Sequence, residues 1–313
     1  MLLHFILVLH FFWETSAANK ATCELYQLNE NLSAYVKCYG NFITSESLKT
    51  NLSLITEPIS TFELNSVALE ALPDDLFGNI EAEAMATLIF DHVSLDLLSV
   101  PGYDPFKQIE HTLHKFEIYD SASVFAWNVT LLSSMQNLET FIIENSEVIS
   151  LSQEFDFWPN LTFIQLINCS IRWLHIKAFK RNMKLAVLSL ANNLITKVLS
   201  SMFPQPAYYL WSLDLSYNRL NWLPEDLFNS MFSLRELKLD NNHFKDVSVS
   251  LFIPVWNTLN NLWLDGINAI CSPLCWEGNL DEPWSRYFKC KFQDKPIPFG
   301  FYLESCPYTL SSE

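Results

Sequence analysis

Apolar residues return along this chain in a fixed pattern, and asparagine marks the same place in the best copies. The cleanest copy consists of Leu210, Leu213, Leu215, Asn218 and Leu220. Nine copies begin, in chain order, at Ile59, Met85, Leu113, Leu138, Leu161, Leu185, Leu210, Leu234 and Leu259, and successive starts lie 23 to 28 residues apart. A period of this length is typical of structural units stacked in one direction. The sequence therefore predicts a solenoid.

The spacing inside each copy predicts a short strand followed by a return segment. Side chains alternate between the two faces of a strand, so the fourth and sixth positions point into the stack and the third, fifth and seventh point outward. The ninth position, usually asparagine, satisfies backbone groups where the chain turns. Cys169 takes that position in one copy, and Val67, Val93 and Ser121 take it in the first copies, which we expect to be less regular.

Phenylalanine also repeats, in the return segments. Phe77, Phe179, Phe203, Phe228 and Phe252 each lie eighteen residues after the first apolar residue of their copy, whereas Phe157 comes one place later and Phe106 three. One aromatic ring per unit at a fixed depth predicts a buried aromatic column along the stack.

The chain divides into a leader, a repeat region between two caps, and a tail. Leu2–Trp13 is apolar and is followed by the small residues Ser16, Ala17 and Ala18, so residues 1–18 are predicted to be a signal peptide. We expect an N-terminal cysteine cap over 19–58, the repeats over 59–270, a C-terminal cysteine cap over 271–306 and a polar tail over 307–313. No later stretch approaches the length of a membrane span, so we expect a secreted, extracellular protein without membrane insertion.

Six of the seven cysteines lie outside the repeats. Coils spaced about 4.8 Å apart would separate the two ends by roughly 40 Å, which is beyond disulfide reach. Pairing must therefore be local: Cys23 with Cys38, and the four cysteines Cys271, Cys275, Cys290 and Cys306 among themselves in one of three connectivities. Zinc binding at Cys271 and Cys275 is the alternative, which an oxidising compartment disfavours. Cys169 is expected to be an inert core thiol.

Sequons predict N-glycans at five positions, Asn31, Asn51, Asn128, Asn160 and Asn168. Asn168 lies beside the turn position of its copy. A glycan at this residue would partly shield the outward face of the strands, whereas a buried side chain would stay unmodified.

Composition and motifs exclude several functions. The formal net charge is −16, and an acidic surface repels both nucleic acid phosphates and anionic lipid, so we expect neither as a partner. Nucleophile elbows, phosphate loops and zinc-protease motifs are absent from the sequence, which predicts a protein that is not an enzyme and needs no cofactor or metal. His111 and His114 are three apart, but a surface or packing role suits them better than a metal site.

Several segments resemble a known family. Residues 223–228 and 72–77, which read Leu-Pro, two acidic residues, Leu and Phe, look like the return segments of extracellular leucine-rich-repeat proteins. This resemblance implies an α/β-type solenoid, a curved leucine-rich repeat horseshoe of about nine coils. Its parallel β-sheet would form the concave face, irregular, 3-10 and short helical segments would form the convex face, and disulfide caps would close both ends.

Two further segments resemble the same family. Residues 268–276, which contain Cys271 and Cys275, are similar to the start of its C-terminal cysteine cap, and the resemblance implies pairing of Cys271 with Cys290 and of Cys275 with Cys306. Residues 36–40 and 45–48 resemble arthropod secreted members, among them the non-catalytic leucine-rich subunit of decapod luciferase. That second resemblance implies a stabilising subunit of a secreted enzyme, not luminescence in this chain.

The outward strand positions are the candidate ligand-binding residues. An apolar patch is predicted at the centre of the concave sheet, from Ile142, Phe163, Ile167 and Val187, with Gln165 among them. An acidic end is predicted beyond it, from Asp214, Glu236, Asp240 and Asp265, with Lys238 and Trp263 among them. An apolar centre with a charged flank is common in protein-binding surfaces, although single exposed apolar residues are also normal on any surface.

We therefore predict a secreted, non-enzymatic protein that binds a protein ligand, one with a basic patch, through its concave face. Two alternatives remain open. One is a non-catalytic subunit that stabilises a secreted enzyme, such as a luciferase-like monooxygenase complex, and the other is an extracellular matrix component.

Overall fold

Two units make up the chain. The N-terminal unit comprises Met1–Val148 and Phe157–Leu161, and the C-terminal unit comprises Ile149–Asp156 and Thr162–Glu313. The structure, a computed structural model, describes residues 7–8, 21–27, 34–78, 85–121, 129–148, 150–244, 247, 249–255, 257–264, 289–292 and 295–298.

The N-terminal unit is built mainly of parallel strands. Its elements are β1 (Leu7–Val8), β2 (Thr22–Gln27), β3 (Ala34–Gly40), α1 (Ser45–Leu52), β4 (Ile59–Leu69), β5 (Thr87–Asp91), β6 (Ser94–Leu95), β7 (Lys115–Tyr119), a 3-10 helix (Val129–Ser134) and β8 (Thr140–Glu144). Strands β3, β4, β5, β7 and β8 pair in parallel in that order, and β6 pairs with β4. Strand β2 is antiparallel to both β1 and β3.

The C-terminal unit has the same organisation with shorter strands. Its strands are β9 (Ser150–Leu151), β10 (Phe163–Ile167), β11 (Trp173–Leu174), β12 (Val187–Ser189), β13 (Ser212–Asp214), β14 (Glu236–Lys238), β15 (Asn261–Trp263), β16 (Lys289–Phe292) and β17 (Lys295–Pro298). Strands β10, β12, β13, β14, β15 and β16 pair in parallel in that order. Strand β17 is antiparallel to β16, and β9 pairs with β11. Further 3-10 helices span Ser200–Met202 and Val249–Val255. Another spans Glu154–Phe157, of which all but Phe157 belong to this unit.

All nine predicted strands are present, and eight of them begin at the third position of their copy, the exception being β4. The leucines of the fourth position form one internal column in the C-terminal unit, because Leu188 lies opposite Leu213 and Leu213 lies opposite Leu237. These three side chains are buried. The predicted leucine-rich repeat solenoid, with its parallel strands, is thereby confirmed in each unit.

Buried asparagines close the turns of the C-terminal unit. The Oδ1 atom of Asn193 accepts hydrogen bonds from the backbone N–H groups of Cys169 (3.0 Å) and Ile171 (3.1 Å) in the preceding coil. Its Nδ2 donates to the carbonyls of Leu166 and Leu190 at 2.7 and 2.9 Å. One side chain therefore satisfies backbone groups in two coils, as a buried bend requires.

Serine hydroxyls replace these amides in the N-terminal unit. Ser121 Oγ accepts from Val93 N and Ser146 Oγ accepts from Ser121 N, both at 3.0 Å. The two hydroxyls donate in turn to the carbonyls of Tyr119 and Glu144. The expectation of less regular coils was wrong for β5 and β7, which are each five residues long, whereas β12 to β15 are three. It holds for β4, which starts out of phase with the other copies and pairs with β3 through register shifts.

The predicted phenylalanine column is buried, with one correction. Phe179 packs against Phe203 with ring centroids 6.5 Å apart, and Phe228 packs against Phe252 at 5.9 Å. In the preceding copy it is Phe155, not the predicted Phe157, that is fully buried, and its ring lies 5.3 Å from that of Phe179. The reason is that a 3-10 helix begins at Glu154 and places Phe155 inward.

The N-terminal end is capped by a hairpin and a helix. Cys23 and Cys38 face each other across β2 and β3 and form a disulfide, as the local-pairing argument predicts. Helix α1 begins after Thr44, whose side chain accepts a hydrogen bond from Ser47 N at 3.1 Å, a normal N-cap arrangement. Hydrogen bonding of β3 to β4 covers the edge that the first repeat would otherwise expose.

Other predictions about the ends fall outside the described residues. These are the pairing of Cys271, Cys275, Cys290 and Cys306, of which only the backbone of Cys290 is described, within β16. Among the described residues, none of the helices has the length and apolar character needed to cross a membrane.

Candidate binding face on the strands of the C-terminal unit

Strand register arranges the predicted binding residues of the C-terminal unit in rows. At the third positions Phe163 lies beside Val187, which lies beside Ser212, followed by Glu236 and Asn261. At the fifth positions the row is Gln165, Ser189, Asp214, Lys238 and Trp263. Apolar residues therefore occupy one end of this face and charged residues the other. We call the outward side of β10 and β12–β15 the strand face.

The apolar end of the strand face consists of Phe163, Ile167 and Val187. All three side chains are partly exposed, and they alternate with the buried Ile164, Leu166 and Leu188. The stack requires only the inward positions to be apolar, because those positions form the shared core. The outward apolar residues thus present area that a ligand could remove from water.

The prediction that Ile142 belongs to the same exposed patch was wrong. It lies in β8 of the N-terminal unit, and its side chain is 8% exposed. Adjacent strands lie about 4.8 Å apart, so outward side chains of neighbouring coils cover one another; here Glu117 is the register partner of Ile142. Ile142 therefore offers little surface to a ligand.

The charged end of the strand face is partly neutralised. Lys238 Nζ lies 3.0 Å from the carboxylate of Asp214 and 5.5 Å from the ring centroid of Trp263, in a cation–π arrangement. Asp214 also accepts hydrogen bonds from Ser216 N and Ser216 Oγ at 3.0 and 2.6 Å. Asp214, with a side chain only 14% exposed, thus holds Lys238 in position more than it presents a charge.

The remaining predicted acids keep this end negative. Glu236 and Asp240 are partly exposed, and Asp240 Oδ2 accepts a hydrogen bond from Asn241 Nδ2 at 2.8 Å. The three carboxylates of Asp214, Glu236 and Asp240 against the one ammonium of Lys238 leave a net charge of −2. Asp265 lies outside the described residues.

Ion pairs also cross the outward side of the N-terminal strands. Lys37 Nζ lies 2.9 Å from Glu63 Oε1, and Lys115 Nζ lies 2.7 Å from Glu117 Oε1. Tyr35 donates a further hydrogen bond to Glu63. Burial raises the pKa of Glu63, the hydrogen bond from Asn65 lowers it, and the charge of Asp91 raises it. The sequence did not reveal the Lys37 pair, because β3 was not predicted to be a strand.

Tyrosine hydroxyls near this network are held by carboxylates. The hydrogen bond from Tyr26 to Glu24 raises the pKa of Tyr26 to about 12, with a further contribution from burial. Tyr39 donates to the other oxygen of Glu24 at 2.6 Å, and this bond raises the pKa of Tyr39 as well. Burial together with the charge of Glu117 raises the pKa of Tyr119.

A group of potential metal ligands, which the sequence did not single out, lies at the ends of these strands. The ligand atoms of Asp91, His92 and Asp120 all lie within 4.8 Å of one another. His92 Nδ1 is 2.7 Å from Asp91 Oδ1, and Asn65 donates to Asp91 Oδ2 at 2.6 Å. These hydrogen bonds account for the arrangement of Asp91 and His92, and we assign no cation to the group.

His111 and His114, the two histidines considered in the sequence, contact different partners. His111 Nε2 is 3.2 Å from Glu110 Oε1 and His114 Nδ1 is 2.6 Å from the carbonyl of Thr112. Both side chains are exposed. Their surface setting agrees with the role that was preferred for them over a metal site.

The predicted glycosylation sites differ in their surroundings. Asn168 is exposed, with a φ of 55°, directly after β10. Asn51 Nδ2 donates to the carbonyl of Ser47 within α1, and Asn160 Nδ2 donates to the carbonyl of Gln136, both at 2.8 Å. Asn31 and Asn128 lie outside the described residues. Because Asn168 is exposed, its side chain is accessible for the predicted glycan at the edge of the strand face.

Comparisons with known proteins agree with this architecture. A family model described as a leucine rich repeat matches residues 183–244. Tsukushi of Mus musculus is 43% identical over 68 residues, which are 22% of this chain and 19% of that protein. Leucine-rich repeats and immunoglobulin-like domains protein 2 of Mus musculus is 31% identical over 117 residues, 37% of this chain and 11% of that protein. The chain thus spans less than a fifth of the length of these curated relatives.

Two solved structures share the fold at low sequence identity. TLR13 in its complex with ssRNA13 has a TM-score of 0.60 and 18% identity, and the match covers 79% of this chain and 33% of that chain. The octameric complex of Latrophilin 3, Unc5D and FLRT2, the last represented by its leucine-rich repeats, gives a TM-score of 0.54 and 13% identity, covering 74% and 76%.

The parallel coils and the asparagine turns give the chain a leucine-rich repeat fold, and part of its length is similar to the leucine-rich repeat proteins named above. The weaker resemblance to the luciferase subunit finds no support among these relatives and stays a prediction.

Proposed function

We propose that this chain is a secreted, non-enzymatic binding protein whose strand face, in the C-terminal unit, engages a protein ligand. The observation that carries the proposal is the partly exposed group of Phe163, Ile167 and Val187, at outward positions where the stack has no need of apolar residues. Truncating a buried aromatic anchor in a protein interface commonly costs about 2 kcal/mol or more, so a few such residues can supply most of an affinity.

Charged residues on the strand face would orient a ligand bound to it. The net charge of −2 over Asp214, Glu236, Asp240 and Lys238 favours a ligand with a basic patch. The pairing of Lys238 with Asp214 and Trp263 fixes three neighbouring side chains before any ligand arrives. Less side-chain freedom then has to be lost on binding, which favours affinity.

One solved structure that shares the fold motivates the choice of a protein ligand. The FLRT2 repeats were solved in an assembly with Unc5D and Latrophilin 3, that is, with other proteins. The enzyme-subunit and matrix alternatives stay predictions, since no contact among the described residues favours either of them over ligand binding.

The apolar end is tested by comparative capture from fluid of the secreting tissue. The double variant Phe163→Asp with Ile167→Asp should fail to retain a protein that the wild type retains, because charged side chains would replace the apolar anchors. Ile176→Asp is the matched control, since Ile176 is 52% exposed and lies away from the strand face. Thermal unfolding of each variant shows whether it is folded, and the milder Ile167→Ser substitutes if the double variant is not.

The same captured set for wild type, control and double variant would refute the strand face as the binding site. The charged end is tested with Glu236→Lys and Asp240→Lys. Both variants should retain less of the captured protein than the wild type, and the amount retained should depend less on salt. Asp214 is spared because its carboxylate is bonded within the face. Glu225→Lys, an exposed acid on a return segment, is the control and should behave as the wild type.

A further inference from the structure

A second surface of the C-terminal unit exposes aromatic residues just before the strands. Tyr208 and Tyr209 precede β13 and are 59% and 62% exposed, and Trp211 at its edge is 40% exposed. Phe232, 52% exposed, holds in the next coil the place that Tyr208 holds in its own. Single exposed aromatics need no explanation, whereas contiguous exposed apolar patches often serve as interaction sites.

An open pocket of about 370 Å³ lies within this cluster, lined by Tyr208, Tyr209, Trp211, Ser233 and Arg235. We call it the aromatic pocket. Backbone and side-chain contacts between the two coils build it: Ser233 Oγ donates to the carbonyl of Tyr208 at 2.5 Å, and Arg235 N donates to the carbonyl of Trp211 at 2.8 Å. The rings of Tyr208 and Phe232 lie 6.0 Å apart. These contacts hold the two coils that carry the lining side chains next to each other.

The side chains of the aromatic pocket are rich in hydrogen-bond donors. Tyr208 and Tyr209 offer hydroxyls, Trp211 an indole N–H and Arg235 five N–H groups. Within the described part of the chain, the structure gives these donors no side-chain hydrogen bond or ion pair, and the lining carries no carboxylate or side-chain amide. The chemistry of the pocket thus suits a ligand with an apolar surface, many acceptors and a negative charge.

We propose that the aromatic pocket binds an extended, proline-containing acidic segment of a partner protein. The polyproline II conformation has no internal hydrogen bonds, so its carbonyls are available to the tyrosine and tryptophan donors. Proline rings pack on aromatic side chains, and aromatic-lined grooves are a recurring way of recognising such segments. Arg235 supplies the charge complementarity, because a guanidinium can hold a carboxylate through two hydrogen bonds.

Two features narrow the occupant to a short peptide segment. The volume lies near the lower end of the range for small-ligand sites, about 300–1,000 Å³, so the pocket takes a few residues and not a flat protein surface. An oligosaccharide would also stack on tyrosine and tryptophan. Its many hydroxyl donors would call for carboxylate or amide acceptors, however, and the lining has none among the described residues. A sugar is therefore an outcome of the test and not the proposal, which is independent of the strand face.

The test uses the peptide Pro-Pro-Glu-Pro-Pro-Glu-Pro-amide, labelled with fluorescein at its N-terminus, and fluorescence anisotropy with the full chain. Two control peptides replace glutamate by lysine or proline by alternating glycine and serine. Binding of the acidic proline peptide should exceed that of either control by about tenfold or more. Preference for an acidic peptide would run against the net charge of −16, so bulk electrostatics cannot produce it.

Two variants locate the binding. Trp211→Ala should weaken it about tenfold or more, and Arg235→Glu should reverse the preference between the glutamate and lysine peptides. Trp222→Ala and Arg219→Glu are matched controls, exposed and in the same unit but outside the pocket lining, and should bind as the wild type. Tyr209→Phe removes one hydroxyl without removing the ring, and serves if Trp211→Ala does not fold.

Three results would overturn the proposal. The first is no difference between the acidic peptide and its controls, and the second is binding that survives both Trp211→Ala and Arg235→Glu. The third is Trp211-dependent binding of oligosaccharides on a glycan array with none of the peptide, which would assign the pocket to sugars instead.

Discussion

At the scale of single residues, the ninth position of each coil shows how one side chain can hold two coils together. Asparagine combines an acceptor with two donors, so Asn193 serves two backbone N–H groups and several carbonyls at once. Serine has one donor, and Ser121 therefore serves one N–H group of the preceding coil and one carbonyl of its own. The N-terminal strands are longer, and their own hydrogen bonds meet more of the backbone's needs.

Replacing Asn193 by alanine should lower the free energy of unfolding by about 2–4 kcal/mol. The variant leaves the N–H groups of Cys169 and Ile171 buried without their acceptor, and each buried unsatisfied group costs about 1–3 kcal/mol. Asn221→Ala, at an exposed position of the same unit, is the control and should change stability by less than about 0.5 kcal/mol. Urea denaturation measures both. Equal effects of the two substitutions would contradict the assigned role.

Glu63 should make the stability of the N-terminal unit depend on pH. Because its pKa is raised in the folded state, mainly by burial, the folded protein holds the proton more tightly than the unfolded chain does. Stability from this residue is complete below the ordinary value of 4.5 and falls as pH rises through the folded pKa. Glu63→Gln cannot ionise, so its stability relative to the wild type should increase from about pH 4 to about pH 7.

Denaturation at several pH values checks this prediction, with Glu70→Gln at an exposed position as the control. The opposite slope would mean that the 2.9 Å contact with Lys37 outweighs burial. Such a result would show Glu63 to be ionised and paired throughout this range.

Sequence reasoning found the outward residues but not all of their surroundings. Alternation placed Ile142 and Phe163 on the same kind of outward position, yet Ile142 is buried, because exposure depends on the neighbouring coils as well as on the strand itself. Asp214 was read as a presented charge. The strand register places Asp214 beside Lys238, both at the fifth position of their copies, and the two side chains form an ion pair. The repeat period does not predict which way the side chains in such a row point.

At the scale of elements, the period fixed the strands more firmly than the return segments. Each strand lies between buried leucines that recur at the same positions in every copy. Eight of the nine strands accordingly begin at the expected residue. The return segments vary in length, and a 3-10 helix at Glu154–Phe157 was enough to exchange the expected Phe157 for Phe155. The cap strand β3 lies outside the period and was therefore missed.

The aromatic column should contribute strongly to the stability of the C-terminal unit. Phe179 is fully buried between Phe155 and Phe203, so Phe179→Ala should lower the free energy of unfolding by about 3–5 kcal/mol through lost burial and a cavity. Phe232→Ala is the control, since Phe232 is more than half exposed and should cost much less. Similar losses for both variants in thermal or urea unfolding would show that the column is not a core.

At the scale of the whole molecule, the net charge of −16 argues against nucleic acid as a ligand of this chain. A fold likeness of 18% identity to TLR13 carries no inference about RNA. Nucleic acid binding draws much of its affinity from cations that neutralise phosphates, whereas this chain has 35 acidic residues against 19 lysines and arginines. The charged end of the strand face is itself negative. Phosphate contacts would therefore meet repulsion outside local sites such as the aromatic pocket, whose described lining contains Arg235 and no carboxylate.

We accordingly expect no binding of a short single-stranded RNA at about 150 mM salt, near physiological ionic strength. Fluorescence anisotropy of a labelled oligonucleotide measures this, with a basic protein of similar size as the positive control. Lowering the salt to about 50 mM should not restore binding, because weaker screening strengthens the repulsion as well. Binding that strengthens as salt is lowered would reveal a local basic site strong enough to overcome the net charge. Such binding would also show that net charge cannot be used to prefer a protein ligand over nucleic acid.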